Sequence, residues 1–303
     1  MAKANTLAGT RDRVVLYAMI GLPFLALVVA VPVAWGWGVG PVDITLAVVM
    51  YCLTTLGVSM GFHRYLTHGA FKANRPLHIA LAIAGSLALQ GPPVTWVADH
   101  RKHHRFADRE GDSHSPWRFG TSAPAIAKGM LYAHVGWLFH RHASLITYAP
   151  DLLKEPAVMR ISRKYWHLTL VSVLAPPVAG ALLTWSWEGA VTSFFWASLV
   201  RIGLVHHVEW SINSICHVAG DRPFHSRDKS GNVWWLSLLT FGDAWHNLHH
   251  ADPTCARHGV RKGQIDISAR VIRWCELAGW AWDVRWPNET RLNRRIRETT
   301  ADA

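Results

Sequence analysis

Charge is scarce in this chain. Of its 303 residues only 17% are Asp, Glu, Lys or Arg, against about 25% in an ordinary soluble domain. That excludes a disordered, highly charged chain and argues against a wholly soluble one. Cysteine is scarce too. Cys52, Cys216, Cys255 and Cys275 form no CxxC pair and no zinc spacing, so neither a disulfide scaffold nor a zinc ribbon is expected, and free thiols are. There is no HExxH, the usual mark of a zinc protease. Internal repeats and low-complexity linkers are missing as well. No nucleic-acid-binding module accompanies the basic residues, so a net charge of +11 needs another cause.

What fills the chain instead is apolar. Half of it is AVILMFWYC, and 17 residues are Trp, a load familiar where helices meet a membrane interface. The mean hydropathy is nevertheless only +0.10, because 31 Lys/Arg, 20 Asp/Glu and 19 His stand beside the apolar residues. Such a chain alternates between membrane and water. Four apolar runs, at 14–37, 44–62, 167–187 and 190–212, have about the length that roughly 30 Å of hydrocarbon asks of a helix. Arg201, His206, His207 and Glu209 interrupt the last. The segment 77–97 is apolar but broken by Gln90-Gly91-Pro92-Pro93, and reads as a buried or interfacial helix. The first run is too long for the core of a cleaved signal peptide and has no small-x-small site after it.

Positive charge sets the orientation. Residues 1–13 carry 3 Lys/Arg, 63–165 carry 14 and 213–303 carry 13, while the connectors 38–43 and 186–189 carry none. Under the positive-inside rule both termini and both long polar segments are cytoplasmic. The expected fold is an all-α membrane protein, one domain over 1–303. Its four transmembrane helices form two hairpins, and a helical cytoplasmic cap (63–165 and 213–290) holds a metal site. The basic excess then faces anionic inner-leaflet lipid and an acidic redox partner, with no role for nucleic acid.

The histidines are clustered. His63 and His68 stand in His-Arg-Tyr-Leu-Thr-His where the second run ends; His100, His103 and His104 form one HxxHH, and His246, His249 and His250 another. Residues i, i+3 and i+4 share a helical face, so each HxxHH converges three imidazoles. Asn213 and His217 lie one helical turn apart after the fourth run. All four groups fall on the same side of the membrane and can meet. The dispersed His78, His134, His140, His142, His167, His206, His207 and His225 read as ordinary hydrogen-bonded residues. For the nine clustered ones that reading fails: together they are costly if protonated and short of donors if neutral, unless metal takes up their lone pairs. Nine neutral nitrogens are too many for one tetrahedral zinc. Shared between two ions they give four or five each, which suits iron with a position left open for oxygen.

HRYLTH, HRKHH and HNLHH, in that order and with NxxxH at 213–217 between the last two, resemble the three histidine boxes and extra ligand of the integral-membrane fatty acid desaturases, most closely the acyl-CoA Δ9 branch and its bacterial members. Gly61-Phe62-His63-Arg64, Gly-Asp-Ser-His-Ser-Pro at 111–116, His-Val-Gly-Trp at 134–137, Phe-Gly-Asp-Ala-Trp at 241–245 and Ala-Arg-His-Gly at 256–259 agree with it. The resemblance covers about 40–280. It implies O2- and electron-dependent removal of two hydrogens from a saturated acyl chain, giving a cis double bond at Δ9, with acyl-CoA the leading substrate. It implies two Fe(2+) per chain held by His63, His68, His100, His103, His104, His217, His246, His249 and His250, with Asn213 acting through a water. An acyl-lipid desaturase and a di-iron fatty acyl hydroxylase are the alternatives; a structural or haem-binding role for the histidines is the non-enzymatic one.

The resemblance further places Gln90, Trp96 and Trp210 along the substrate tunnel, Arg141 near the CoA group, and Asp99 behind a ligand. Two positions depart from the pattern: Ala98 stands where CoA-using animal relatives carry arginine, and Asp243-Ala244 where Glu-Gly or Glu-Ser is more usual. No HPGG-type haem segment and no cysteine-rich iron–sulfur stretch is present. A separate electron donor, of ferredoxin, rubredoxin or flavin reductase type, is therefore expected at the inner face of a bacterial inner membrane.

Overall fold

The computed structural model describes residues 10–140 and 142–296. Arg141, expected near a CoA group, lies outside them, as do 1–9 and 297–303. Among the described residues regular structure is almost all helical; the one ladder is a two-residue antiparallel pair, Lys72 opposite Trp282 and Ala73 opposite Ala281. Among the described residues four helices are long and apolar enough to cross a bilayer: Arg13–Ala34, Pro41–Thr67, Tyr165–Thr184 and Trp187–Ser214. They point Leu22, Leu25 and Val28, and again Leu170, Leu174, Val178 and Leu182, outward, an arrangement that lipid rewards and water does not. The chain is an all-helical integral membrane protein.

Contacts divide it into two compact units, each built from three stretches. The first is Met1–Val58, Ile79–Ala98 and Leu138–His207; the second is Ser59–His78, Asp99–Trp137 and Val208–Ala303.

The first unit holds most of the membrane helices and manages its few polar groups internally. Asp43, buried in the first turn of the Pro41–Leu56 helix, accepts from the Gly40 backbone N–H (3.0 Å) and from the hydroxyls of Thr192 (3.0 Å) and Ser193 (2.7 Å). One carboxylate thus caps one helix and ties it to another. Tyr165–Thr184 and Trp187–Ser193 pack closely because they meet at glycines: a Cβ on Gly180 would sit 2.3 Å from Ser193 Oγ, and one on Gly189 would sit 1.9 Å from Thr184 Oγ1. Arg201, the charge inside the fourth apolar run, donates to the Ala197 carbonyl (3.0 Å) and to the Ser172 carbonyl and hydroxyl (2.9 and 3.0 Å). The segment 77–97 is not one helix. Arg75–Ser86 ends before Leu89 and Gly91, both at positive φ (59° and 100°), and a new helix runs Pro93–Phe106.

The second unit carries the chemistry, and two local features arrange it. The first is a π-helix, Gly57–Thr67, which prolongs the second apolar helix beyond Phe62. Its i→i+5 bonding shows in His68 N donating to His63 O at 3.2 Å. In an α-helix residues five apart diverge by about 140°; the wider turn brings His68 back over His63. The second is the clamp on Asn247. Its Oδ1 accepts from Phe224 N (2.7 Å), its Nδ2 donates to the carbonyls of Phe224 and Ser230 (both 3.1 Å), and its own N–H donates to Asn232 Oδ1 (3.0 Å). Leu248 meanwhile packs with Phe224 and Ala251. The short His246–Ala251 helix is therefore pinned by Asn247 and Leu248, leaving its histidines to face elsewhere.

Candidate metal centre

All nine clustered histidines come together in the second unit, and they divide. His63, His68, His100, His104 and His249 form one group whose ligand-capable atoms lie within 4.8 Å of one another; His103, His217, His246 and His250 form a second. The HxxHH spacing makes the division. On Pro93–Phe106, His100 and His104 are one turn apart and serve the first group, while His103 serves the second. On His246–Ala251, His246 and His250 serve the second group and His249 the first. Each box bridges the two groups, which fixes them side by side.

Within the groups the Nε2 atoms nearly touch. His249 Nε2 lies 2.9 Å from both His63 Nε2 and His104 Nε2, and His104 Nε2 lies 3.1 Å from His100 Nε2. In the second group His246 Nε2 is 3.1 Å from His217 Nε2 and 3.0 Å from His250 Nε2. Several of these rings cannot donate through Nε2, because the proton sits on the other nitrogen. His63 Nδ1 donates to Asp243 Oδ2 (2.9 Å), His103 Nδ1 to Asp112 Oδ1 (3.0 Å), His217 Nδ1 to Asp108 Oδ2 (2.9 Å) and His250 Nδ1 to Asp228 Oδ2 (2.7 Å). His246 Nδ1 donates to the Asp243 carbonyl at 3.2 Å. An ionised carboxylate only accepts, so the lone pairs are left on Nε2 and aimed at one another.

Lone pairs 3 Å apart repel unless a cation lies among them. Donors at right angles around an ion with bonds of about 2.0–2.1 Å are themselves about 3 Å apart, the spacing found here. The Nε2 atoms of His68 and His103 are buried with no hydrogen-bond partner, a state buried polar atoms rarely tolerate without a ligand. The donor set fits two metal ions.

Electrostatics keep six of the nine imidazoles in a form able to bind metal. Burial, then repulsion by neighbouring rings, holds His68, His100, His104, His246 and His249 well below the usual imidazole range, so they stay neutral. Burial lowers His250 to about 4 despite Asp228. For His217 burial is outweighed by Asp108, and its range is raised. Burial would raise the aspartates, but their histidine partners prevail: Asp108 is held at about 2, and Asp112, Asp228 and Asp243 are lowered further. All four stand as anions behind the imidazoles.

Asp243 is itself held. Arg64, fully buried, donates to its Oδ1 (2.8 and 3.3 Å), to Asp266 (2.9 and 3.1 Å) and to the Ala256 carbonyl (2.8 Å). Asp266 also accepts from the backbone N–H groups of His258 (2.7 Å), Gly259 (3.3 Å) and Ala269 (2.9 Å), capping the Ile267–Leu277 helix. His258 approaches Asp243 at 3.4 Å and has its ring 4.6 Å from that of His249; His114 stacks 4.3 Å from His103.

Sequence reasoning missed Asp108, Asp112, Asp228, Arg64, Asp266, His114 and His258. Arg64 and His258 sit in the stretches Gly-Phe-His-Arg and Ala-Arg-His-Gly, and Asp112 and His114 in Gly-Asp-Ser-His-Ser-Pro, so the signal was present without a role attached. Asp108 and Asp228 gave none. Asp243, noted only as a departure, is the carboxylate on His63. Asp99, expected behind a ligand, is buried. Asn213 is half-buried one turn before His217 and makes no side-chain hydrogen bond among the described residues. Of the tunnel candidates, Gln90 and Trp96 meet in the first unit, where Trp96 Nε1 donates to Gln90 Oε1 at 3.4 Å. Trp210 is buried in the second, its ring 6.0 Å from that of His134.

Comparison with known proteins gives the same direction. The family model described as fatty acid desaturase matches residues 41–265. The chain is 37% identical over 277 residues to the hex-5-enoyl-[acyl-carrier protein] acetylenase of Moorena producens (strain JHB), covering 90% of this chain and 86% of that one. It is 33% identical over 285 residues to delta-9 acyl-lipid desaturase 1 of Arabidopsis thaliana, covering 93% and 86%. It is 32% identical over 270 residues to sn-1 stearoyl-lipid 9-desaturase of Anabaena variabilis, covering 88% and 91%.

Proposed function

The chain belongs to the fatty acid desaturase family, and from that premise we propose that it introduces a cis double bond at Δ9 of a saturated acyl chain, using two irons, O2 and a separate electron donor. It is an oxidoreductase acting on fatty acyl chains. The balance is –CH2–CH2– + O2 + 2 e⁻ + 2 H⁺ → –CH=CH– + 2 H2O. The observation that carries the metal assignment is the division of nine buried or half-buried histidines into groups of five and four with Nε2 atoms 2.9–3.1 Å apart.

His63, His68, His100, His104 and His249 would hold one ion, and His103, His217, His246 and His250 the other, with Asn213 reaching the second through a water. Nitrogen-rich sites with open positions suit iron. Iron bound there supplies the redox chemistry with O2 that an alkyl C–H bond, having no acidic proton, requires. The protein's part is preparation. Burial keeps His68, His100, His104, His246, His249 and His250 neutral; Asp108, Asp112, Asp228 and Asp243 fix the tautomer and aim of His217, His103, His250 and His63. Arg64 and Asp266 hold Asp243 in place.

For the acyl carrier, the names of two relatives, delta-9 acyl-lipid desaturase 1 and sn-1 stearoyl-lipid 9-desaturase, together with Ala98 in place of an arginine, favour a glycerolipid ester over the CoA thioester. The distribution of Lys and Arg supports both termini and the histidine centre lying on the cytoplasmic side of the membrane, in our reading a bacterial inner membrane. The basic residues there suit an acidic carrier of ferredoxin or rubredoxin type, or a flavin reductase.

Expression in a host lacking unsaturated fatty acids tests the reading. Mass spectrometry of the lipids is expected to show a new cis double bond at Δ9, and incubation of membranes with labelled acyl-lipid and acyl-CoA separates the carriers. A hydroxylated chain with no new double bond would overturn desaturation, and unaltered chains with iron in place would overturn the substrate class.

A further inference from the structure

We infer that the two histidine groups are electrostatically unequal, so that an iron in the four-histidine group keeps its higher charge at potentials where an iron in the five-histidine group has already been reduced. The inference rests on the di-iron reading above and goes beyond it.

The inequality is in the second layer of bonds. Three of the four histidines of the smaller group, His103, His217 and His250, each donate from Nδ1 to an aspartate, at 3.0, 2.9 and 2.7 Å. The other bonds to those aspartates come from neutral groups. Asp112 accepts from the backbone N–H groups of Asp108 (2.9 Å) and His114 (3.1 Å); Asp108 accepts from Ser115 Oγ (3.0 Å) and Lys229 N (2.8 Å); Asp228 accepts from Ser230 N (3.0 Å). No Lys or Arg side chain bonds to any of the three among the described residues, and Lys229 turns its ammonium onto the Trp117 ring, 3.3 Å from its centre. Their charges act jointly: Asp108, Asp228 and Asp112 all favour the charged form of His217.

The larger group is differently placed. The aspartate on His63, Asp243, is shared with the Arg64 guanidinium, which also takes up Asp266. A second guanidinium, that of Arg101, donates to the carbonyls of Leu66 and Thr67 (2.9 and 3.2 Å) and acts on His68 as a positive neighbour. Even with Asp99, next to His100 in sequence, three carboxylates here meet two guanidiniums. Behind the smaller group three carboxylates meet none.

Two effects follow and have the same sign. An aspartate drawing on Nδ1–H makes the imidazole a stronger donor through Nε2, and uncompensated anions in a buried site lower the energy of the higher metal charge. Added one at a time, electrons go first to the five-histidine ion and second to its neighbour, each converting one Fe(III) to Fe(II).

The test is a reductive titration of detergent-solubilised enzyme carrying 57Fe, with dithionite and mediators, read by Mössbauer and EPR spectroscopy. At half reduction the expected sample holds equal ferric and ferrous iron with a half-integer-spin signal. Asp112→Asn and Asp228→Asn keep an accepting oxygen on Nδ1 and remove the charge; each is expected to lower the half-reduced fraction, and both together at least threefold. Asp243→Asn is expected to raise it, because it acts on the other ion. Single and double variants are compared, so loss of iron in one leaves the rest and the wild type to decide. A wild type reduced in one two-electron step, or variants of both groups shifting in the same direction, overturns the inference. Fewer than two irons per chain overturns the di-iron reading instead.

Discussion

Arg64 is the most consequential residue outside the histidines, and removing it gives a measurable prediction. Its guanidinium is wholly buried and bonds to two carboxylates and a carbonyl. In Arg64→Met the methylene stem is largely kept and the charge lost. Asp266 retains three backbone N–H donors, so most of the penalty falls on Asp243, left with His63 and His258. Breaking a buried ion pair from one side costs about 3–5 kcal/mol. At roughly 2 °C per kcal/mol for a chain of this size, the thermal midpoint should fall by about 6–10 °C. Arg64→Lys, a point charge able to serve one carboxylate but not both, should fall between. The assay is thermal unfolding in detergent at one fixed scan rate, because unfolding of such proteins is commonly irreversible. Asp243→Asn relieves the stranded anion, so the double variant Arg64→Met/Asp243→Asn should lose clearly less than the sum of the singles. A loss under about 1 kcal/mol in Arg64→Met, or strict additivity in the double variant, would refute the account of Arg64 as the counter-ion that holds Asp243 on His63.

Two more outcomes are expected. Metal analysis of purified His249→Ala and His103→Ala should show iron content reduced from about two per chain, each losing its own group's ion first while the chain still inserts in the membrane; full iron and full activity in both would undo the ligand assignment. Metal-free protein should lose stability as pH falls from about 6.5 toward 4. His250 and His258 are held at about 4 and His114 at about 3, so between those values and the usual 6.5 the unfolded chain binds more protons than the folded one. His217, raised by Asp108, offsets part of this, and the Asp108 contribution is lost only below the usual carboxylate range, toward 2. A midpoint unchanged between pH 7.5 and 5 would contradict the buried, neutral state of these rings.

Much of the architecture was legible in the sequence because a bilayer imposes so few rules. A helix must be long, apolar and internally bonded, and four charge-poor runs satisfy that without any knowledge of packing. What stayed hidden depends on partners far along the chain. Whether residues past Phe62 continue a helix cannot be read from His-Arg-Tyr-Leu-Thr-His, whose polar side chains look like a span's end. The helix goes on because polar groups along it find partners inside the protein: Thr67 Oγ1 donates to the Phe62 carbonyl at 2.7 Å, and Arg64 meets Asp243 and Asp266, some 180 and 200 positions away. The break of 77–97 was visible in its Gly-Pro-Pro, but the positive φ of Leu89 was not.

The site divides in the same way. The ligand-type residues announce themselves, since HxxHH places three rings on one face whatever the tertiary structure. Which ring serves which group follows from the facing helix. His100 and His104 look to one side and His103 to the other because His249 and the pair His246 and His250 make the same division opposite them. The aspartates were the least legible, for a physical reason. A loop carboxylate such as Asp108 or Asp228 carries no periodic signal, and in a chain poor in charge it reads as solvation. Its function appears only when the fold brings it to Nδ1 of a particular ring, where its negative charge can no longer be solvated and must be spent on the imidazole. The same scarcity that marks this chain as a membrane protein therefore makes each buried carboxylate of its histidine centre informative: Asp108, Asp112, Asp228 and Asp243 are all on histidines, and only Asp243 is given an arginine as well.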